Sequence, residues 1–194
     1  MDLYAEAVER FRSLFEQARQ LDMPEPSAMS LATVGPDGRP SVRTVLLKSF
    51  DVRGFVFFTN KHSRKGQQLG ANPCAALCFH WQPLAQQVLV EGAVTEVSAA
   101  DADAYWSTRA RISQIGAWAS LQSEAMTDRR DLDKRFTEYE QKFAGQVVPR
   151  PAHWAGYRLA PDMIEFWHSK PGRLHERERY LRVGDSWTHS WLHP

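Results

Sequence analysis

The sequence is poor in the features that mark several common classes of protein. It has 194 residues and only two cysteines, Cys74 and Cys78, whose spacing matches neither a zinc site nor a redox motif. We interpret them as reduced, buried thiols of a cytoplasmic protein, and we expect no metal. No apolar run approaches the length of a membrane span, and the N-terminus lacks the basic and apolar segments of a secretory signal.

The charge is almost balanced, with 24 lysines and arginines against 23 aspartates and glutamates. This balance gives no global attraction to nucleic acid or to an anionic membrane, so any anion site must be a local concentration of cations. No Gly-x-Gly-x-x-Gly motif follows a predicted strand and no Walker A loop is present, which argues against the common nucleotide folds. Seven tryptophans and ten phenylalanines can fill a core or line the walls of a planar ligand site.

The periodicity of apolar residues predicts a mainly β protein with flanking helices. Helices are predicted at 3–21, after an N-cap at Ser63, after a second cap at Ser98, and at 127–143. Strands are predicted at 28–34, 40–50, 55–60, 74–81, 86–97, 155–161, 163–169, 173–183 and 186–192. Strands of this number and spacing, with helices between some of them, indicate an antiparallel barrel with helices packed outside it.

Three hydrogen-bond donors recur at helical spacing in "YWSTRARISQIGAW". Tyr105, Arg109 and Ser113 are four residues apart, so on one helix they would share a face. No acidic residue accompanies them, which favours a receptor for a small anion such as phosphate. The alternative is an ordinary exposed polar face.

Two more pairs of cations stand in unusual places. Arg64 and Lys65 fall in the first turn of a predicted helix, where free N–H groups and cations together favour an anion, unless both side chains point into solvent. Arg43 and Lys48 lie an odd number of residues apart, so a regular strand would turn them to opposite faces, toward two different anionic groups. The alternative for this pair is strand-end charge that keeps a sheet edge soluble.

The last cluster lies in "GRLHERERY". Arg173, His175, Arg177 and Arg179 alternate, so one regular strand would carry all four on one face. The glutamates between them would point the other way, and the face would need an anionic or electron-rich partner unless it is simply solvated. Two phosphate sites without a Rossmann motif suggest a mononucleotide cofactor beside a phosphorylated substrate.

Six motifs together carry a resemblance to a known family. They are "RTVLLK", "FFTNKHSRK", "QQVLVEG", "YWSTRARISQIGAWASLQS", "IEFW" and "GRLHER". In this order and spacing the chain, from about Pro24 to its C-terminus, resembles the pyridoxine (pyridoxamine) 5'-phosphate oxidases. These are flavoenzymes with the antiparallel split β-barrel of the FMN-binding type. The resemblance implies one domain over 1–194, with an N-terminal helix at 1–22 packed on the barrel.

The resemblance also implies a role for each matched residue. The implied FMN contacts are Arg43, Thr44, Val45, Leu46, Leu47, Lys48, Phe58, Thr59, Arg64, Lys65, Gln87, Gln122, Ser123, Trp167 and Arg177. The implied substrate contacts are Lys48, Tyr105, Arg109, Ser113, Arg173, Leu174 and His175, of which the first four would hold the substrate phosphate. Arg173 would orient the pyridine ring, and His175 would assist it or merely bond a neighbour.

The implied activity is the FMN-dependent oxidation of pyridoxine 5'-phosphate and pyridoxamine 5'-phosphate to pyridoxal 5'-phosphate, in vitamin B6 salvage and biosynthesis. Dioxygen would be the electron acceptor, giving hydrogen peroxide, and the amine substrate would also release ammonia. The partners would be these substrates and a second copy of the chain, in a homodimer with FMN between the two chains. No nucleic acid and no membrane is expected.

Two departures and two alternatives accompany this interpretation. The chain begins close to its first helix, so we expect less of the N-terminal arm that reaches over the substrate in some family members. Trp191 stands where family tails often carry arginine, so we expect no anion contact from the tail. A split-barrel flavin reductase would keep the FMN residues but would not need the three donors Tyr105, Arg109 and Ser113. A non-enzymatic pyridoxal phosphate binder would keep those donors without the flavin residues.

Overall fold

Three of the four predicted helices lie close to their predicted positions, and the fourth, after Ser98, is divided into two helices. The structure, a computed structural model, describes residues 2–194. The first helix, α1, spans Leu3–Gln20 behind Asp2, whose carboxylate accepts the Tyr4 N–H. The second, α2, spans Arg64–Ala71 behind the predicted cap Ser63, whose hydroxyl accepts the Gly66 N–H. The other helices are α3 (Ala99–Ser107), α4 (Arg111–Ala119) and α5 (Arg130–Lys142).

Nine strands form a single antiparallel sheet. They are β1 (Ala28–Val34), β2 (Pro40–Leu46), β3 (Ser49–Asp51), β4 (Gly54–Asn60), β5 (Cys74–Trp81), β6 (Gln86–Glu96), β7 (Trp154–His168), β8 (Glu176–Val183) and β9 (Ser186–Leu192). The order in the sheet is β2-β1-β5-β6-β7-β4-β3, and β8 pairs with both β7 and β9. The predicted strand at 40–50 is therefore two strands, because β2 pairs with β1 and ends at Leu46, whereas β3 begins at Ser49 and pairs with β4.

Strand β7 organises the sheet, because it pairs with three neighbours along its length. Its first part pairs with β4, most of it pairs with β6, and its last part pairs with β8. Two strands were predicted here, 155–161 and 163–169, with a break after Pro161. The structure instead runs through Pro161 with a bulge, since Gly92 pairs with Pro161 and Glu91 with Met163, which leaves Asp162 extra. A proline inside a central strand is tolerated at such a bulge.

The main core lies between the sheet and α1. Phe11 of α1 is fully buried, and its ring packs edge-on against the rings of Phe50, Phe55 and Phe79, with Trp81 beside them. The helix is therefore part of the fold and not an appendage. Burying one such aromatic ring contributes about 2–3 kcal/mol, so Phe11 makes a large local contribution.

A second, smaller core joins α3, α4 and α5 to the ends of β4 and β7. Its buried members are Trp106, Ile115, Phe143, Val148 and Trp154. The indole N–H of Trp106 donates to the carbonyl oxygen of Val148 at 2.8 Å, which ties α3 to the loop before β7. This smaller core places the helical residues with predicted functions beside the sheet. None of the helices within residues 2–194 is both long and apolar enough to cross a bilayer.

Candidate functional site

A pocket opens where four parts of the chain meet. They are the end of β2 with the segment after it, the end of β4, the start of α2 and helix α4. We call this pocket the cationic pocket. Its lining residues are Thr44, Val45, Leu46, Lys48, Phe58, Thr59, Asn60, Lys65, Arg109, Ser113, Gly116, Ala117, Ser120, Gln122 and Trp154. A cleft continuous with it adds Tyr105, Thr108 and Ala110. Most of the residues predicted for the FMN phosphate and the substrate phosphate therefore lie together.

The predicted row of Tyr105, Arg109 and Ser113 does not lie on one helix. Helix α3 ends at Ser107 and α4 begins at Arg111, so Arg109 sits in the break between them. The N–H of Arg109 still bonds to the Trp106 carbonyl oxygen at 3.1 Å, which closes the last turn of α3. The prediction of a shared helix face is wrong, yet all three side chains border the same cleft.

Arg109 is a half-buried cation that makes no ion pair within residues 2–194. Its guanidinium carbon lies 4.9 Å from the ring centre of Trp154 and 5.2 Å from that of Trp106. Its buried Nη1 has no hydrogen-bond partner. Burial lowers the pKa of this guanidinium below its ordinary value. A buried donor without an acceptor is costly, so this atom indicates where an anionic ligand belongs.

Lys65 is a second buried cation without an acidic partner in the described chain. It is only 8 % exposed, and its Nζ donates to the oxygen atoms of Gln122 at 2.8 Å and Thr59 at 3.1 Å. Burial, assisted by the charge of Arg43, lowers its pKa to about 8. The groups that accept from Lys65 are neutral, so the positive charge of Lys65 is not compensated. An anion bound here would compensate it.

Arg43 lies behind Lys65 and is held by neutral groups. Its guanidinium donates to the carbonyl oxygen of Leu31 at 3.0 Å and to the hydroxyl groups of Thr33 and Ser41. Burial and then the nearby charge of Arg64 lower its pKa. Three cations, Arg43, Arg64 and Lys65, therefore gather at the start of α2, where helix N–H groups add to the positive field.

The strand-parity argument for Arg43 and Lys48 is wrong, because only Arg43 belongs to the strand. Strand β2 ends at Leu46, and Lys48 lies in the connection to β3, exposed at the rim of the cationic pocket. Leu47 between them is 5 % exposed and belongs to the main core. Its side chain cannot line a ligand site, which leaves only its main chain for the predicted contact.

Several of the other predicted residues form a second cluster, which we call the C-terminal cluster. A shallow pocket is lined there by Trp167, Ser169, Lys170, Gly172, Arg173 and His175. The rings of Trp167 and His175 pack with centres 4.7 Å apart. The His175 Nδ1 accepts the Lys170 N–H at 3.2 Å, so a neutral His175 carries its proton on Nε2. Leu174 is 73 % exposed at this surface.

The prediction that Arg173, His175, Arg177 and Arg179 share a strand face is wrong. Arg173 belongs to a 3₁₀ turn, Pro171–Arg173, and β8 begins only at Glu176, because Pro171 and Gly172 favour a turn. The face also has an acidic partner. Arg177 donates twice to Glu165 of β7, at 2.8 and 3.0 Å, and these hydrogen bonds raise the pKa of Arg177.

Backbone strain coincides with two predicted site residues. Three non-glycine residues within 2–194 have a positive φ: Ala85 at 52°, Ser123 at 75° and Arg173 at 64°. Such conformations cost about 1–3 kcal/mol and are concentrated at functional sites. Ser123 lies beside Arg64 in a groove next to the cationic pocket, and Arg173 lies in the C-terminal cluster. The strain supports a functional role for both loops.

The two clusters lie at opposite ends of β7. Trp154, its first residue, lines the cationic pocket, and Trp167 near its other end lines the C-terminal cluster. Gln87 of β6 pairs with Trp167 and therefore belongs to the C-terminal cluster. At about 3.3 Å per residue, the strand between the two tryptophans measures about 40 Å before the curl of the sheet shortens it. One chain therefore does not bring both clusters to one small ligand.

Several residues of the site escaped the sequence analysis. Trp106 and Trp154 flank Arg109, Gln68 accepts from Thr33 and Ser41 beside Arg43, and Glu165 pairs with Arg177. The abundance of aromatic residues was a signal for the two tryptophans. Nothing local in the sequence identifies Glu165, since its role depends on the register of β7 against β8.

The fold is an antiparallel split barrel with flanking helices, as predicted, and it carries a pocket lined by Lys48, Lys65 and Arg109. The sequence model described as pyridoxamine 5'-phosphate oxidase matches residues 14–143. The model described as the pyridoxine 5'-phosphate oxidase C-terminal dimerisation region matches residues 154–194. The chain belongs to the pyridoxamine 5'-phosphate oxidase family.

Similar proteins support this assignment. The chain is 58% identical over 187 residues to a pyridoxine/pyridoxamine 5'-phosphate oxidase of Myxococcus xanthus strain DK1622, covering 96% of this chain and 91% of that protein. It is 53% identical over 196 residues to a protein of the same name from Alkalilimnicola ehrlichii, which is covered completely, as is this chain.

Two solved structures share the fold. One is PhzG from Burkholderia lata 383 in complex with tetrahydrophenazine-1-carboxylic acid, at 34% identity and a TM-score of 0.88, over 96% of this chain and 90% of that one. The other, from Nostoc punctiforme, is described as a pyridoxamine 5'-phosphate oxidase-related, FMN-binding protein. At 18% identity it shows the fold alone, with a TM-score of 0.76 over 96% of each chain.

Proposed function

We propose that this protein is an FMN-dependent oxidase that converts pyridoxine 5'-phosphate and pyridoxamine 5'-phosphate to pyridoxal 5'-phosphate. The observation that carries the proposal is the cationic pocket, where Lys65 is buried and Arg109 is half-buried, both without acidic partners in the described chain. The two cations belong to different groups of donors. Two groups fit two phosphates, one from a mononucleotide cofactor and one from a phosphorylated substrate.

The first group of donors fits the phosphate of FMN. Arg43, Arg64 and Lys65 gather at the start of α2 and lack acidic partners within residues 2–194. Thr59 and Gln122, which now bond to Lys65, would contact the same cofactor, with the Thr44–Leu46 segment and Phe58 along its length. Ser123 would add its main chain from the strained turn.

The second group of donors fits the phosphate of the substrate. Tyr105, Arg109 and Ser113 border the cleft beside Lys48. With the substrate phosphate held there, the pyridine ring would lie over the flavin. When bound, FMN supplies the hydride acceptor for C4' of the substrate, and dioxygen would take up the electrons as hydrogen peroxide. The protein contributes binding, orientation and charge.

The C-terminal cluster would come from a second copy of the chain, in a homodimer. Its residues Gln87, Trp167 and Arg177 would contact FMN, while Arg173, Leu174 and His175 would face the pyridine ring. The Nε2–H of a neutral His175 can donate a hydrogen bond to a ring substituent. Two features support this arrangement. The clusters lie at opposite ends of β7, and residues 154–194 match a dimerisation region.

The proposal has three further parts. Residues 1–194 would act as one FMN-binding split-barrel domain, with α1 packed on the barrel through Phe11. The two cysteines are free, which fits a cytoplasmic location, but the prediction that both are buried is wrong, because Cys74 is exposed and Cys78 is half-buried. Neither nucleic acid nor a membrane would be a partner.

One experiment separates the proposed activity from its rivals. The purified protein should be yellow, and under anaerobic conditions pyridoxamine 5'-phosphate should bleach its flavin absorption, which oxygen then restores. A flavin reductase would be bleached by a reduced nicotinamide and not by the vitamer. A pyridoxal phosphate binder would carry no flavin. A phenazine-type oxidase, suggested by the PhzG complex, would be bleached by a tetrahydrophenazine carboxylate instead.

The affinity for FMN should depend on pH through Lys65. Burial lowers the pKa of Lys65 to about 8, and a phosphate beside it would raise that pKa, so binding takes up a proton above pH 8. We expect full affinity below pH 8 and a loss that approaches about tenfold per pH unit above it. Titration of the apoprotein by quenching of FMN fluorescence between pH 7 and 9.5 measures this.

The matched control for this experiment is Lys65→Arg. An arginine keeps its charge throughout this pH range, so the variant should bind FMN with little dependence on pH. A wild-type curve and a variant curve with the same slope would show that Lys65 is not the group responsible.

A further inference from the structure

We propose that Trp154 is a positioning residue that holds the donors of the substrate phosphate, Arg109 and Tyr105, in their binding geometry. The inference rests on the proposed function of the cationic pocket. Trp154 lies at the start of β7 and lines both the cationic pocket and the cleft continuous with it.

Trp154 holds Arg109 through the face of its ring. The guanidinium carbon of Arg109 lies 4.9 Å from the centre of this ring, and Trp106 flanks it at 5.2 Å. Two indole faces attract a cation without cancelling its charge, as a carboxylate would. The buried Nη1 of Arg109 therefore remains free to meet a phosphate oxygen.

Trp154 also anchors a stack of rings that reaches Tyr105. The rings of Trp154 and Phe58 are stacked with centres 4.9 Å apart, and those of Phe58 and Tyr105 with centres 4.2 Å apart. All three planes lie within about 20° of each other, the offset-stacked arrangement that aromatic pairs favour. The orientation of the Tyr105 phenol is thus set from Trp154 through Phe58.

The position of Trp154 is itself well fixed. Its side chain is 6 % exposed, its backbone pairs with Asn60 of β4, and its carbonyl oxygen accepts from the Arg150 guanidinium at 2.8 Å. A rigid ring at this place preorganises both donors before the substrate arrives. Truncating it should therefore weaken binding of the phosphate while the chemistry of the bound substrate continues.

The test compares Trp154→Leu and Trp154→Phe with the wild-type holoenzyme. Trp154→Leu should raise the KM for pyridoxine 5'-phosphate about ten- to thirty-fold, since a desolvated cation–π contact is lost. Trp154→Phe keeps a ring and should raise the KM by about threefold or less. In both variants kcat should change little when FMN is saturating, and inorganic phosphate should lose potency as a competitor by the same factor as the substrate.

A double-mutant cycle separates positioning from a general structural role. If Trp154 acts through the two donors it holds, Trp154→Leu should have little further effect on the KM in a background that carries both Arg109→Met and Tyr105→Phe. Trp154→Met, which also removes the ring, takes the place of Trp154→Leu in this cycle if the leucine variant does not fold. An effect as large in that background as in the wild-type protein, or a fall in kcat with a constant KM, would overturn the proposal.

Trp118→Leu is the matched control. Trp118 packs in the same smaller core and donates to the Pro149 carbonyl oxygen, but it does not contact Arg109. This variant should lower the melting temperature without raising the KM. If it raises the KM as much as Trp154→Leu, the effect is one of packing and Trp154 is not a positioning residue. A wild-type protein that does not oxidise either vitamer would instead refute the proposed function.

Discussion

Arg109→Ala is expected to raise the KM for pyridoxine 5'-phosphate about ten- to a hundred-fold, the loss of one charge-assisted hydrogen bond to a phosphate. The protein should still fold, because Arg109 makes no ion pair in the described chain whose removal would strand a buried carboxylate. It should also remain yellow, because the proposed FMN phosphate donors surround Lys65 and not Arg109. Steady-state kinetics measures the change in KM, and the flavin absorption of the same sample shows whether FMN is still bound.

The control for this variant is the nearby Arg111→Ala. Arg111 donates to the carbonyl oxygens of Gln146 and Phe143, so it ties α4 to the loop after α5 and does not line the pocket. Arg111→Ala should reduce thermal stability and leave the KM near the wild-type value. A colourless but folded Arg109→Ala protein would mean that the two phosphate sites have been assigned the wrong way round.

Two variants with impaired activity should regain part of it when they are mixed in one dimer. Arg109→Ala damages the cationic pocket, and Arg173→Met damages the C-terminal cluster. If each site takes one cluster from each chain, a mixed dimer contains one site with both defects and one intact site. Co-expression in equal amounts makes about half of the dimers mixed, so about a quarter of wild-type activity should return at substrate concentrations below the KM.

Differently tagged chains allow the mixed dimer to be purified and assayed alone. Arg173 suits this experiment because it is exposed and makes no salt bridge within residues 2–194, so its loss should not disturb folding. The control is a dimer of two differently tagged chains that both carry Arg109→Ala, which should show no gain in activity over the untagged Arg109→Ala protein. If the Arg109→Ala and Arg173→Met mixture shows no gain over its parents, each site is built from a single chain.

Most of the fold could be predicted because its signals are local. Ser63 and Ser98 cap helices as expected, Asn72 ends α2, and the alternation of apolar residues located the strands. The break between α3 and α4 could not be predicted in this way. No proline or glycine marks it, and the turn is fixed by contacts distant in sequence, such as those of Arg111 with the loop after α5.

The candidate site was predicted better in its members than in its geometry. Tyr105, Arg109 and Ser113 border one cleft although they do not share a helix face, because the break in the helix re-aims Arg109 toward the pocket. The strand prediction for Arg173 failed at a Pro-Gly turn that the sequence displays. Predicting a partner on another strand, such as Glu165, requires the register of β7 against β8, which local sequence patterns do not give.

The extra residue in β7 decides which face of the sheet each end of the strand presents. Before Asp162 the core residues have odd numbers, Tyr157 and Leu159, and after it they have even numbers, Ile164 and Phe166. An uninterrupted strand would therefore turn Trp154 and Trp167 to opposite faces, and one of them would point into the core. With the bulge, both tryptophans stand outside the main core, each at its own end. A single inserted residue thus changes the parity of the strand, so that both ends of β7 can contribute a tryptophan to the two proposed binding surfaces.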